Sequence, residues 1–205
     1  MLPGTSEGFS DVPGSGNWIM VLLTSLGVGT VTRARHATVF ADYGQFYLQD
    51  VEAHNSVMRA GAAMDPARAA GGWTDDAVRL HRIGLEPHSV SVGAARSDFV
   101  ETILKIYETA PALVAEAEHV VEASLEVVSG ALFVLGCTES PEPDQGLQVE
   151  PGQHRVRVSY VPAAPPPSSD LDVEGAHFTY LIEMWPSFEA EPVDVLRQGP
   201  YPWAN

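Results

Sequence analysis

The seven histidines are the side chains with the widest chemical range in this 205-residue chain, because imidazole can bind metals and transfer protons near neutral pH. They are His36, His54, His81, His88, His119, His154 and His177. None lies two, three or four residues from another, so the chain lacks the H-x-H pair that one strand can contribute to a metal site. Four of them, His88, His119, His154 and His177, could still converge from distant segments. A metal-dependent enzyme on a jelly-roll sandwich therefore stays open as an alternative.

Asp42, flanked by Tyr43 and Gln45, is a second group that could do chemistry, as an acid–base cluster. A general base needs a matched pKa and a positioned partner, and the sequence indicates neither. The chain also has no nucleophile elbow, P-loop, dinucleotide fingerprint or H-E-x-x-H pair. We therefore predict a protein without catalytic residues or cofactor, in which Asp42 is a structural or interface carboxylate.

Trp73, Asp75 and Asp76 form a third candidate group at the start of a predicted helix, where Thr74 can cap the first turn. Asp75 and Asp76 can compensate the helix dipole, and Trp73 can pack the helix onto a sheet. Alternatively, Trp73 is an interface anchor, since tryptophan and tyrosine concentrate binding energy. The residues we expect to bind a partner are Asp42, Tyr43, Trp73, Asp75 and Asp76.

The net charge of the chain limits the class of partner that it is expected to bind. The chain carries 27 acidic and 11 basic residues, a net charge of −16, with Lys105 its sole lysine. Residues 101–205 hold 17 acids and four bases, a net charge of −13. Direct nucleic-acid binding is disfavoured because it requires Lys and Arg to neutralise phosphates. A basic protein partner is favoured by charge complementarity, although acidity can also serve solubility alone.

Cysteine content and the N-terminal segment bear on the compartment. The single cysteine, Cys137, excludes an intramolecular disulfide and fits a reducing, cytoplasmic location, where we expect it to be a buried structural thiol. The uncharged run Trp18–Val31 is shorter than the roughly 20 residues that a membrane span needs, so no membrane association is expected. We interpret residues 1–30 as a tail or extension, with a core strand or a cleaved leader as alternatives.

The elements that must position these residues are mostly strands. The stretch Ala37–Asp50 is rich in β-branched and aromatic residues and predicts one strand, with Gly44 as a bulge or close backbone approach. Trp73–Gly84 predicts a short helix closed by Gly84. Val51–Gly72 predicts a long loop with room for one helical turn. Further strands are predicted at 89–94, 99–107, 119–128, 131–137, 147–149, 154–160, 177–185 and 193–196.

Turn signals suggest how these strands pair. Ser129-Gly130 predicts a hairpin between 119–128 and 131–137, and Pro151-Gly152 predicts a turn between 147–149 and 154–160. Eight or nine short strands with one short helix predict an all-β fold, an antiparallel β-sandwich or jelly-roll-like barrel. We assign residues 31–205 to this single domain, with a flexible Pro-rich loop at 161–172.

Tyr43-Gly-Gln-Phe46 in an early strand is followed along the chain by Trp73-Thr-Asp-Asp-Ala77 at a helix start. These two motifs, in this order, resemble the competence protein J family, the DNA-entry nuclease inhibitors. The Pro151-Gly152 turn before 154–160 is similar to that family's penultimate hairpin. The resemblance spans residues 36–198 loosely and about ten residues carry it. The long segment Val51–Gly72 and the Pro-rich loop depart from it.

The resemblance implies a small β-sandwich that binds and inhibits a nuclease and has no catalytic site. The expectation is therefore a non-enzymatic acidic protein of the nuclease-inhibitor or immunity type, with a basic nuclease or toxin as partner. The alternatives are the metal-dependent enzyme above and an interaction module with another partner.

Overall fold

Two β-sheets pack face to face in the computed structural model, which describes residues 29–60 and 72–200. The strands are β1 (Val31–Phe40), β2 (Gln45–Gln49), β3 (Ile83–Glu86), β4 (Ser89–Gly93), β5 (Phe99–Tyr107), β6 (His119–Val127), β7 (Ala131–Gly136), β8 (Leu147–Gln148), β9 (Gly152–Pro162), β10 (Phe178–Pro186) and β11 (Asp194–Arg197). One α-helix, α1, spans Val51–Arg59, and short turns of 3-10 or π-helix lie at Asp42–Gly44, Ala77–His81 and Pro143–Gln145. The predicted β-sandwich with one short helix is confirmed, and the sheets do not close into a barrel.

The six-stranded sheet has the order β1-β5-β10-β9-β6-β11, and the five-stranded sheet has the order β3-β4-β2-β7-β8. Neighbours are antiparallel except β5 and β10, which are parallel. Alternating apolar side chains from both sheets fill the space between them. The predicted inward positions Val156, Val158 and Tyr160 of β9 lie in this core, as do the predicted Phe178, Tyr180, Ile182 and Met184 of β10.

The stretch Ala37–Asp50 is not one strand, which corrects the prediction. It holds the end of β1 in one sheet and all of β2 in the other, with a corner at residues 41–44 between them. Gly44, at φ +65°, does mark a close backbone approach, because its carbonyl accepts the Ala94 N–H at 2.7 Å. The chain changes sheets here because Ala41 and Phe46 must both reach the core, where each is fully buried.

The helices also differ from the prediction. The segment Val51–Gly72, predicted as a loop with room for one helical turn, begins with the nine-residue α1, whose N-cap is Asp50. Residues 61–71 of this segment lie outside the described residues. The helix predicted up to Gly84 is a π-helical turn at Ala77–His81 that ends at Arg82, which has φ +57°. Ile83 and Gly84 belong to β3 instead. A tertiary contact ends the helical turn earlier than the local sequence pattern predicts. The Tyr160 hydroxyl donates to the Arg82 carbonyl at 3.0 Å and keeps Arg82 buried.

Neither predicted hairpin forms. β6 and β7 lie in different sheets, so the turn at Ser129-Gly130 carries the chain across the sandwich. Asp50 holds that crossing, since its carboxylate accepts the N–H groups of Val128 and Ser129, each at 2.7 Å. The Pro151-Gly152 turn likewise joins β8 of the five-stranded sheet to β9 of the six-stranded sheet.

Arginines on the outer face of the six-stranded sheet are buried. Arg155 and Arg157 point away from the core, as the alternation predicts, but both pair with Glu122, at 3.1 and 2.8 Å. Arg157 also lies over the Trp185 ring, 4.9 Å from its centroid, and donates to the Pro111 carbonyl. The segment around Pro111 therefore covers Arg157, and residues 191–192, whose carbonyls accept hydrogen bonds from Arg155, cover that arginine. Both cations are thereby removed from the surface.

Several sequence expectations lie outside the described residues. They concern residues 1–28 of the predicted N-terminal tail or extension, which include most of the run Trp18–Val31, and residues 201–205 of the assigned domain. Among the described residues, no helix combines the length and apolar composition that crossing a bilayer requires.

Candidate functional site

The corner at residues 41–44 presents an aromatic side chain to solvent. Tyr43 adopts a left-handed backbone (φ 54°, ψ 27°), and 83% of its surface is exposed. Asp42 stabilises this conformation, because its Oδ1 accepts the Tyr43 N–H at 2.9 Å. Cys137, predicted to be buried, is only partly buried. Its thiol donates to the Asp42 carbonyl at 3.1 Å and stabilises the corner. Left-handed backbone is unfavourable for an aromatic residue and tends to occur at functional positions.

Trp73 lies beside this corner, half-buried. Its Nε1–H donates to the Gln45 Oε1 at 2.6 Å, which fixes the indole ring against β2. Thr74 caps the following turn as predicted, since its Oγ1 accepts the Ala77 N–H at 3.1 Å. Asp75 and Asp76 sit in that first turn with exposed side chains. We call Asp42, Tyr43, Trp73, Asp75 and Asp76 the corner surface.

A groove of about 590 Å³ opens between these elements. Its walls are residues 43–45, Trp73 with Val78, residues 93–97, and residues 173–174. Of the corner surface, Tyr43 and Trp73 line the groove. Asp42, Asp75 and Asp76 do not line it. In sequence, however, Asp42 is adjacent to Tyr43, and Asp75 and Asp76 follow Trp73 by two and three positions.

The predicted Pro-rich loop (161–172) overlaps with a longer segment, residues 163–177, which keeps that name from here on. This segment reaches the groove at residues 173–174, and nothing in the sequence indicates this contact. β9 continues to Pro162, and residues 163–177 then fold back against residues 95–98. Arg96 donates through Nη1 to the Gly175 carbonyl at 2.9 Å. A Cβ on Gly175, which has φ +116°, would lie 2.1 Å from the Ala95 carbonyl oxygen, so the two segments touch through backbone. The loop is therefore docked rather than a free linker.

Asp98 is the anion that holds this loop. It is buried and accepts hydrogen bonds from Ser169 Oγ, from the Asp170 N–H at 2.9 Å and from Arg96 Nη2 at 3.2 Å. Burial opposes ionisation, but the hydrogen bonds from Ser169, Phe99 N–H and Arg96 outweigh it and lower the Asp98 pKa. The Arg96–Asp98 pair is therefore ionised at neutral pH, and its charges cancel.

Three of the four histidines considered for a metal site, His88, His119 and His154, make separate hydrogen bonds to backbone carbonyls. Nδ1 of His88 lies 3.1 Å from the Glu126 carbonyl, Nε2 of His119 lies 3.1 Å from the His81 carbonyl, and Nδ1 of His154 lies 3.0 Å from its neighbour Gly152. Within residues 29–60 and 72–200, no three histidine, cysteine or acidic side chains form a group that could hold a metal ion.

The architecture has solved counterparts. It is similar to ComJ from Bacillus subtilis, an inhibitor of the DNA degrading activity of NucA, with a TM-score of 0.51 and 15% sequence identity over 78% of this chain and 100% of that one. The family resemblance in the sequence is thus matched in the fold. A looser likeness, with a TM-score of 0.49, 14% identity and coverage of 76% and 97%, links it to the crocagin biosynthetic gene J product. No protein-family model and no curated protein sequence matches the chain.

Proposed function

We propose that this protein is a non-enzymatic inhibitor that binds a basic nuclease or nuclease-like toxin through the corner surface. Exposure of Tyr43 carries the proposal. Its left-handed backbone costs stability on the order of 1 kcal/mol, and its ring gains little packing in return. An aromatic ring that is exposed to solvent on an unfavourable backbone is typical of an interface anchor, which becomes buried when a partner binds.

Charge supports a basic partner. The buried side chains include four arginines, Arg82, Arg96, Arg155 and Arg157, against three acids, Asp50, Asp98 and Glu183. Because the buried charges of the described residues nearly cancel, the net charge of the exposed side chains is about as negative as that of the whole chain. A nuclease that binds DNA phosphates presents Lys and Arg, so an acidic surface steers its approach and competes with its substrate.

Similarity to ComJ in fold supports inhibition as the consequence of binding. ComJ inhibits a DNA-degrading activity, and its whole length superposes on this chain. Low identity means that the nuclease which this chain recognises can differ from NucA.

The test is a DNA-degradation assay on fractionated lysate of the source organism, with plasmid DNA as substrate. Purified protein is expected to suppress degradation in at least one fraction, more strongly at low salt because charge pairing is screened at high salt. Tyr43→Ala should lose most of this suppression. Phe188→Ala is the matched control, because Phe188 is likewise a strongly exposed aromatic residue but follows the end of β10 that is distant from the corner.

Two results would contradict the proposal. One is that no DNA-degrading fraction responds to the protein at any salt concentration. The other is that Tyr43→Ala suppresses degradation as well as the wild type and Phe188→Ala do.

A further inference from the structure

The groove carries an uncompensated negative charge. Among the described residues that line it, two have charged side chains, Arg96 and Glu174. Arg96 is buried and paired with Asp98, and it donates further to the Gly175 and Asp170 carbonyls. Glu174 is exposed in the docked loop. Within the part of the chain that the structure describes, the groove therefore offers a cation one carboxylate without a competing positive charge.

Aromatic and aliphatic surfaces complete the groove. Trp73 stands on one wall with its ring fixed by Gln45, and Tyr43 stands on another. Val78 and Val173 contribute aliphatic surface, and residues 93–95 run along the base of the corner in contact with Gly44. Indole and phenol faces attract cations, and a planar guanidinium stacks on them better than an ammonium does.

We propose that the groove receives an arginine side chain of the partner, stacked against Trp73 or Tyr43 and paired with Glu174. This inference rests on the proposed function, since it names the group of the nuclease that the site recognises. The volume of about 590 Å³ lies in the usual range of binding pockets and exceeds one side chain, so part of the partner's backbone enters with it. Asp75 and Asp76, outside the groove, steer the approach.

The experiment uses N-acetyl-arginine amide as the probe and two-dimensional NMR of the labelled protein. The probe should shift the Trp73 indole N–H signal, assigned with Trp73→Phe, together with the amides of Gly93 and Ala94. N-acetyl-citrulline amide has nearly the same shape without the charge, so it should bind at least about fivefold more weakly. Glu174→Gln should weaken binding of the arginine probe about three- to tenfold, whereas Asp172→Asn, on the same loop outside the groove, should leave it unchanged.

Equal responses to the arginine and citrulline probes would overturn the inference, as would equal binding to Glu174→Gln and Asp172→Asn. Inhibition assays separate this inference from the proposed function. If the wild type suppresses DNA degradation and Glu174→Gln suppresses it equally, the arginine site is wrong and the inhibitor function stands. If the wild type suppresses nothing, the inhibitor function fails whatever the probe does.

Discussion

Arg96 and Asp98, two residues apart in the chain, form a buried ion pair in which Nη2 lies 3.2 Å from Oδ2. Both residues also bind the segment after β9: Arg96 contacts the Gly175 carbonyl and Asp98 contacts the Asp170 N–H. The pair thus connects the Pro-rich loop to the turn before β5, and its Arg96 lies in one wall of the groove.

Removing the carboxylate should release this loop. We expect Asp98→Ala to lower the free energy of unfolding by about 3–5 kcal/mol, because Arg96 would be left as an uncompensated buried charge. Limited proteolysis with proteinase K should then cut within residues 163–177 much faster than in the wild type. Asp172→Ala, an exposed acid of the same loop, is the control. Equal cleavage of Asp98→Ala and Asp172→Ala would show that the pair does not hold the loop.

Asp50 should be the principal source of acid sensitivity at the sheet crossing. Burial opposes its ionisation, but hydrogen bonds from the Ser129, Ala53 and Val128 N–H groups outweigh burial and lower its pKa. Because the folded-state pKa is lowered, the stabilisation is complete above the ordinary aspartate pKa, about 3.9, and is lost as pH falls below it.

Asp50→Asn is therefore expected to cost about 2–3 kcal/mol at pH 7, since several hydrogen bonds to a charged group are lost or weakened. Denaturant unfolding at pH 7 and at pH 3 measures this, and the difference between variant and wild type should shrink at pH 3. Glu52→Gln removes an exposed charge from the same helical turn and should change stability by less than about 0.5 kcal/mol. A constant difference between Asp50→Asn and wild type across the range would contradict the role of ionised Asp50.

His119 should destabilise the fold in mild acid. Burial against Tyr160 lowers its pKa to about 4, so the folded protein keeps it neutral where the unfolded chain protonates it. Stability attributable to this group is complete above about pH 6.5 and is lost as pH falls towards 4, by about 2–3 kcal/mol.

His119→Phe keeps a ring at this position and removes the titration. Urea unfolding at pH 7.0, 6.0 and 5.0 should show a smaller loss of stability for the variant than for the wild type. Part of the pH dependence should persist, because burial also lowers the pKa of His154. Identical pH dependence of variant and wild type would contradict the prediction.

Tyr43 should trade stability against binding. Tyr43→Gly relieves the left-handed backbone and is expected to raise the free energy of unfolding by up to about 1 kcal/mol, or leave it unchanged, while abolishing suppression of DNA degradation. Thermal unfolding measures the first effect and the degradation assay the second. A clearly lower melting temperature for Tyr43→Gly would mean that the ring packs against the fold and is not an anchor held in solvent.

Asp75 and Asp76 should act on the rate of association more than on the lifetime of the complex. With the nuclease identified by the degradation assay, Asp75→Asn/Asp76→Asn should slow association several-fold at low salt and less at 0.5 M salt, with little change in dissociation. Surface plasmon resonance separates the two rates. Unchanged association at low salt would remove these residues from the binding surface.

Individual strands could be predicted from the sequence, but their pairing could not. β5 has the predicted bounds, Phe99–Tyr107, because alternation of apolar residues is a local property. Whether a turn such as Ser129-Gly130 folds a strand onto its neighbour or carries it to the opposite sheet depends on distant groups. Here the turn carries the chain to the opposite sheet, where its Val128 N–H donates to Asp50, 78 residues earlier in the sequence.

The same distinction applies to the site. The sequence motifs located Tyr43 and Trp73, which line one groove, because aromatic residues beside turns are visible in the sequence. Arg96, Glu174 and the docking of the Pro-rich loop were missed. A proline-rich composition is typical of linkers, and nothing local to residues 163–177 indicates that Asp98 binds them.

Corners between the two sheets also have a consequence for the time course of folding. Among the described strands, β3 and β4 are joined by a two-residue turn and pair directly. In contrast, the pairs β1–β5, β2–β7 and β5–β10 join residues that are about 60 to 90 positions apart in the chain. Closing such large loops precedes most of the stabilising contacts, so we expect the chain to fold slowly, on the order of milliseconds to seconds. A newly made molecule would therefore expose its strand edges for longer than a helical protein of this length does.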